Sequence, residues 1–110
     1  MKASDTLLKR AECYANGDFA AIHELYSVNS EFHQFFPDAD SYATHAKEHR
    51  KRLLSQGITV LEEKSRGSVA QVQSLESFVE DGKAIQYNTK STLRLEDGQW
   101  RIVSEAREAV

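Results

Sequence analysis

The sequence predicts an α+β fold: three N-terminal helices packed on one face of a curved, four-stranded antiparallel meander sheet. Two observations carry this. Apolar positions in the first half of the 110 residues recur at helical spacing, whereas from Ile58 onward they alternate as in strands. The second half is punctuated by Gly67-Ser68, Asp81-Gly82 and Asp97-Gly98. Asp-Gly between alternating runs marks a two-residue hairpin, because both turn positions need positive φ. No linker, repeat or low-complexity tract divides the chain, so 1–110 reads as a single domain.

Each element has its own justification. Leu7, Leu8, Ala11, Tyr14 and Ala15 recur at helical spacing from a start at Ser4 or Asp5, and Gly17 is placed to end that helix in the left-handed conformation. Asp18 caps a second, short helix with an apolar face of Phe19, Ile22, Leu25 and Tyr26. The segment Phe32-His33-Gln34-Phe35-Phe36-Pro37 is too aromatic for an exposed loop and is expected to plug one end of the core. After Pro37, Asp38 or Asp40 caps a third helix running to about Ser55 and closed by Gly57, with an inner stripe of Ala39, Ala43, Ala46 and Leu53/Leu54. Strands over roughly 58–66, 69–80, 83–96 and 99–108 complete the fold.

Two-residue turns fix the register and sort the side chains by face. From Asp81-Gly82, Phe78 meets Ile85, Glu76 meets Tyr87, Ser74 meets Thr89, Val72 meets Ser91 and Ala70 meets Leu93. From Asp97-Gly98, the same rule pairs Leu95 with Trp100, Leu93 with Ile102, Ser91 with Ser104 and Thr89 with Ala106, and sets Lys90 against Glu105 on the opposite face. The helix-covered face is thus apolar near the turns and polar around Ser74, Glu76, Tyr87, Thr89, Ser91 and Ser104. With Tyr14, Tyr26, Phe32 and His33 from the helical half, these residues are the candidate lining of a ligand pocket. Glu76, opposite Tyr87, is the candidate general base or acid, and His33 is the second candidate proton carrier. A two-residue turn at Gly67-Ser68 places Ile58 and Val60 beside Leu75 and near Val79 on the outer face, an apolar patch suited to a homodimer. A one-residue bulge sends Ile58 and Val60 inward instead.

Composition bounds the rest. With 14 basic and 17 acidic residues and net charge −3, the chain has no large positive field, and no nucleic-acid partner is expected. No apolar run is long enough to span a membrane, and the first dozen residues lack the apolar core of a secretory signal. The lone Cys13 cannot form an internal disulfide, and a cytoplasmic location is expected. His45-Ala46-Lys47-Glu48-His49 reads as H-x-x-E-H on a helix, but no third ligand accompanies it and Arg50-Lys51-Arg52 follow, so neither a metal nor another cofactor is expected.

Tyr14-Ala15-Asn16-Gly17-Asp18-Phe19, followed by Ile22, Leu25 and Tyr26, resembles the opening segment of the nuclear-transport-factor-2-like superfamily. Asp97-Gly98-Gln99-Trp100-Arg101-Ile102 resembles its last hairpin. The resemblance spans essentially the whole chain and implies the cystatin-like cone fold, a conical pocket between sheet and helices, and dimers formed through the sheet. The superfamily includes SnoaL-like proteins; some of its members are isomerases, dehydratases or hydrolases, and many have no established activity. The isomerases' Tyr-plus-two-Asp constellation and the His/Asp set of scytalone dehydratase have no match here, so neither activity is carried over. Leu93-Arg94-Leu95-Glu96-Asp97-Gly98-Gln99-Trp100 is also similar to the YchJ-like domain found beside SEC-C metal motifs. The functional expectation is a SnoaL-like protein that binds a small apolar or weakly polar molecule. The alternatives are proton-transfer catalysis at Glu76 or His33, and a non-catalytic dimerisation module with a filled core.

Overall fold

A computed structural model describes residues 2–49 and 53–110. Helices α1 (Ala3–Asn16), α2 (Phe19–His23), α3 (Glu31–Phe35) and α4 (Ala39–His49) precede strands β1 (Leu53–Arg66), β2 (Val69–Glu80), β3 (Lys83–Glu96) and β4 (Gln99–Ala109). The strands form one antiparallel sheet in the order β1-β2-β3-β4, the expected meander. Helix α1 packs across β1, β2 and β4, while α4 packs on α2.

Local chemistry sets the helix ends. Gly17 adopts φ 72°, and the Asp18 N–H reaches back to the Cys13 carbonyl at 2.9 Å, so α1 stops there. Asp18 Oδ1 accepts from the Ala21 N–H at 3.4 Å to cap α2. Asp38 Oδ1, not Asp40, accepts from the Ser41 N–H at 2.7 Å at the start of α4. Two expectations need correction here. The aromatic segment contains a fourth short helix, α3, capped by Ser30 through the His33 N–H; its Phe32 and the following Phe36 pack against the core as expected, but Phe35 is 77% exposed. The backbone at Leu53, Leu54 and Ser55 is already strand, paired with Glu80, Val79 and Phe78, so the last helix does not run to Ser55. Gly57, at φ 128°, lies beside a break in register in β1 rather than ending a helix.

Both Asp-Gly turns form as expected. Asp81 and Asp97 adopt φ of 50° and 51°, each followed by a glycine at positive φ. The β2–β3 register follows the turn rule over its whole length, from Glu80 opposite Lys83 to Val69 opposite Arg94. The flanking pairs depart from it through bulges. In β1, Leu61 is an extra residue, so Val60 faces Ser74 and Ile58 faces Glu76. Ile58 and Val60 therefore pack against the core with Ala70, Val72, Leu93 and Ile102, and the expectation that they lie on the outer face is overturned.

In β4 the extra residue is Val103. Leu93 faces Ile102 and Thr92 faces Ser104, after which Ser91 faces Glu105 and Thr89 faces Arg107. A one-residue shift exchanges the faces of every later side chain. The expected Lys90–Glu105 pair is thereby lost, since Lys90 stands opposite Ala106, and Ser104 becomes exposed instead of entering the covered face. At the free edge of β4, the Ser27 N–H donates to the Ile102 carbonyl at 2.8 Å and the Ile102 N–H donates to the Leu25 carbonyl at 2.9 Å, which ties the end of α2 to the sheet.

Candidate functional site

Arg10 follows Leu7 by three residues and precedes Tyr14 by four, so α1 presents a guanidinium on the same face as its apolar contacts. That face meets the sheet, and Arg10 is only 1% exposed. A buried guanidinium requires a carboxylate partner. The β4 bulge supplies it: Arg10 Nη1 and Nη2 donate to Glu105 Oε1 and Oε2 at 2.6 and 2.9 Å, a closed two-bond pair. Arg10 Nη1 also donates to the Tyr26 hydroxyl at 2.7 Å, and the Ser91 hydroxyl donates to Glu105 at 2.7 Å. Burial alone would push the Glu105 carboxyl up. The Arg10 charge, the Arg10 and Ser91 hydrogen bonds and the Arg107 charge together outweigh it and hold Glu105 down at about 2.

Glu76 is the second buried carboxylate, 6% exposed in its side chain. Its Oε1 accepts from the Thr89 hydroxyl at 2.9 Å and from Arg107 Nη2 at 3.1 Å, with Arg10 Nη2 at 3.7 Å. Arg107 lies over the rings of Phe78 and Tyr87, 5.7 and 5.9 Å from their centroids, and its side chain is 36% exposed. Two arginines and two glutamates thus balance in charge on the covered face.

An aromatic wall from the helices faces this network. The Tyr14 and Tyr42 hydroxyls are 2.8 Å apart, Tyr26 stacks on Phe32 with centroids 3.8 Å apart, and Phe32 packs against Tyr42. Burial pushes the Tyr26 and Tyr42 hydroxyls well above the ordinary tyrosine value, so both remain protonated donors.

The residues expected to line a pocket are thus divided. Tyr14, Tyr26 and Phe32 lie in the aromatic wall, while Thr89, Ser91 and Glu76 join the charged network. Ser74 is fully buried, and its hydroxyl has no hydrogen-bond partner among the described residues. Tyr87 packs edge-on to Phe78, and among the described residues no hydrogen bond joins it to Glu76. Ser104 is outside the group. The His33 ring lies tilted against that of His23 at 4.2 Å and packs against Phe32, and among the described residues no hydrogen bond joins it to Glu76 or Tyr87. Of the H-x-x-E-H string, His45 is exposed and packs on Phe36 at 5.0 Å, while the His49 side chain lies outside the described residues. Grooves of about 580 Å³ beside Leu8 and Trp100 and about 550 Å³ beside Phe78 and Ile85 lie elsewhere on the surface, and none of Arg10, Glu76, Glu105 and Arg107 lines either.

Sequence reasoning missed Arg10, Tyr42, Glu105 and Arg107. The available signal was Arg10 itself, a cation at helical spacing between Leu7 and Tyr14, which calls for inward carboxylates; strict alternation supplies Glu76 but turns Glu105 outward.

No family model and no curated protein matches the chain. Solved structures do. A SEC-C motif containing protein from Rhodopseudomonas palustris superposes with a TM-score of 0.77 at 21% identity, over 96% of this chain and 80% of that one. An NTF-2 like protein of unknown function from Silicibacter pomeroyi gives 0.63 at 12% identity, over 98% and 90%. An LEH-like epoxide hydrolase from M. tuberculosis gives 0.65 at 11% identity, over 98% and 82%. No helix among the described residues is long and apolar enough to cross a membrane. With its helices laid over one face of a four-stranded antiparallel meander, the chain has the nuclear-transport-factor-2-like cone fold, shared with SnoaL-like proteins.

Proposed function

We propose that this protein binds a small, mostly apolar molecule between the aromatic wall of the helices and the Phe78–Tyr87 end of the sheet. The observation that carries the reading is the network itself. Buried ion pairs contribute little net stability, and apolar residues of equal volume often replace them without loss. Four charges and two hydroxyls gathered on one covered face, beside an aromatic wall, are the composition of a binding site: an apolar shell with a few convergent polar groups. Fragment titration followed by amide chemical shifts tests the proposal. Shifts confined to Tyr14, Tyr42, Phe78, Tyr87 and Arg107 support it, whereas shifts gathered around Leu75 and Val79 on the outer face, or no saturable shift, contradict it.

A catalytic reading attaches to Glu76 rather than to His33. All the Glu76 hydrogen bonds from described residues converge on Oε1, which leaves Oε2 as the acceptor for a substrate proton. His33 is engaged with His23 and Phe32. Proton transfer in an isomerase, dehydratase or hydrolase at Glu76 is accordingly the enzymatic form of the proposal. For assembly, we propose a homodimer through the outer sheet face, with Leu75 and Val79 as its apolar centre and without Ile58 or Val60. The unpaired Cys13 thiol fits a reducing, cytoplasmic location.

A further inference from the structure

The two arginine–glutamate pairs on the covered face differ in one respect that bears on ligand chemistry. Arg10–Glu105 is closed, since the two terminal guanidinium nitrogens meet both carboxylate oxygens and the pair is buried. Arg107–Glu76 is open: a single bond of 3.1 Å joins Nη2 to Oε1. Among the described residues no hydrogen bond reaches Glu76 Oε2, and no acceptor meets Arg107 Nη1 or Nε. A monodentate pair of this kind leaves an acceptor and a donor side by side. The rings of Phe78 and Tyr87 lie beneath the guanidinium and supply an apolar platform at the same place.

We infer that the open Arg107–Glu76 pair recognises a neutral group carrying an acceptor and an N–H or O–H donor on one carbon, such as a primary carboxamide, on a planar apolar body. This rests on the pocket reading above and names its ligand class. The ligand oxygen accepts from the free edge of Arg107 and the ligand N–H donates to Glu76 Oε2. A carboxylate ligand satisfies Arg107 but sets a second negative charge against Glu76. A ketone satisfies Arg107 and leaves Glu76 Oε2 without a donor. A hydrogen bond to a charged partner separates such analogues by about tenfold or more.

Benzamide, acetophenone and benzoate, which are nearly isosteric, provide the test, with dissociation constants taken from chemical-shift titrations of the full chain. The expected result is benzamide tighter than acetophenone by about tenfold, with benzoate also weaker than benzamide. In Glu76→Gln, Thr89 and Arg107 hold the amide oxygen, so the amide N–H₂ turns toward the ligand. The benzamide preference should then disappear in a variant whose fold is confirmed by its spectrum. Arg107→Gln should weaken benzamide and acetophenone by the same factor. Benzoate binding tightest, equal affinities for all three, or a benzamide preference that survives in folded Glu76→Gln overturns the inference while leaving a pocket in place. Failure of all three to bind removes the pocket reading and this inference together. If Glu76→Gln fails to fold, the wild-type ranking alone decides.

Discussion

Replacing Arg10 by methionine tests how the fold is built around its buried charge. The side chain keeps an unbranched apolar stem but is shorter, and it loses every hydrogen bond to Glu105 and Tyr26. Glu105 is held at about 2 against an ordinary value of 4.5. At about 1.4 kcal/mol per pH unit, that gap corresponds to about 3 kcal/mol of stability at neutral pH. The folded value lies below the unfolded one, so this stability is complete above about pH 4.5 and is lost as the pH falls toward 2. Removing one partner of a buried pair costs about 3–5 kcal/mol, comparable to the whole stability of a marginal domain. Urea unfolding of Arg10→Met at pH 7 should therefore show a loss of about 3 kcal/mol or more. Its pH dependence should also reverse in sign. Without Arg10, burial raises the Glu105 carboxyl, so the variant gains stability on acidification from pH 7 to 5, where the wild type stays level. Adding Glu105→Leu to Arg10→Met should recover most of the loss, because no buried charge is then stranded. A loss under about 1 kcal/mol with an unchanged acid limb would refute the reasoning.

Other outcomes follow from single contacts. Ser74→Ala removes a buried hydroxyl with no partner among the described residues and should leave stability unchanged or raise it by about 1 kcal/mol in thermal melts; a loss of that size would show that the hydroxyl is bonded. Gly98→Ala should cost about 1 kcal/mol, a purely conformational effect, since a Cβ there meets nothing within 4 Å but φ is +77°. Ser27→Ala should cost about 1–2 kcal/mol by denaturant titration, because this fully buried hydroxyl donates to Glu96 at 2.8 Å and accepts from the Asn29 N–H. Leu75→Glu should leave a folded monomer by light scattering if the outer face forms the dimer, and a wild type that is monomeric at micromolar concentration would remove that proposal.

What the sequence made legible and what it hid have separate physical origins. The central hairpin was readable because Asp81-Gly82 demands a turn that fixes the register locally, and every pair from Glu80–Lys83 outward obeys it. The caps at Asp18 and Asp38 and the stop at Gly17 are likewise decided within a few residues. The bulges at Leu61 and Val103 are not. They answer to distant partners, above all an Arg10 that needs a carboxylate 95 residues away. Ile102-Val103-Ser104-Glu105 alternates acceptably in either register, and the bulged one gives the buried guanidinium its two-bond partner. The same choice brings Arg107 to Glu76, so most of the missed site depends on one inserted residue. The helix that was expected to reach Ser55 shows the converse case, in which pairing of Leu53 and Leu54 with Glu80 and Val79 overrides local helical spacing.

The central claim, that the covered face around Glu76 and Arg107 is a site for a small molecule, is tested most directly by a high-resolution crystal structure of this chain grown with benzamide. The account predicts density for the carboxamide within hydrogen-bond distance of Glu76 Oε2 and the free edge of Arg107, with its ring beside Phe78 and Tyr87. A cone filled by side chains, with Glu76 Oε2 closed off by protein and no ligand density, would contradict it.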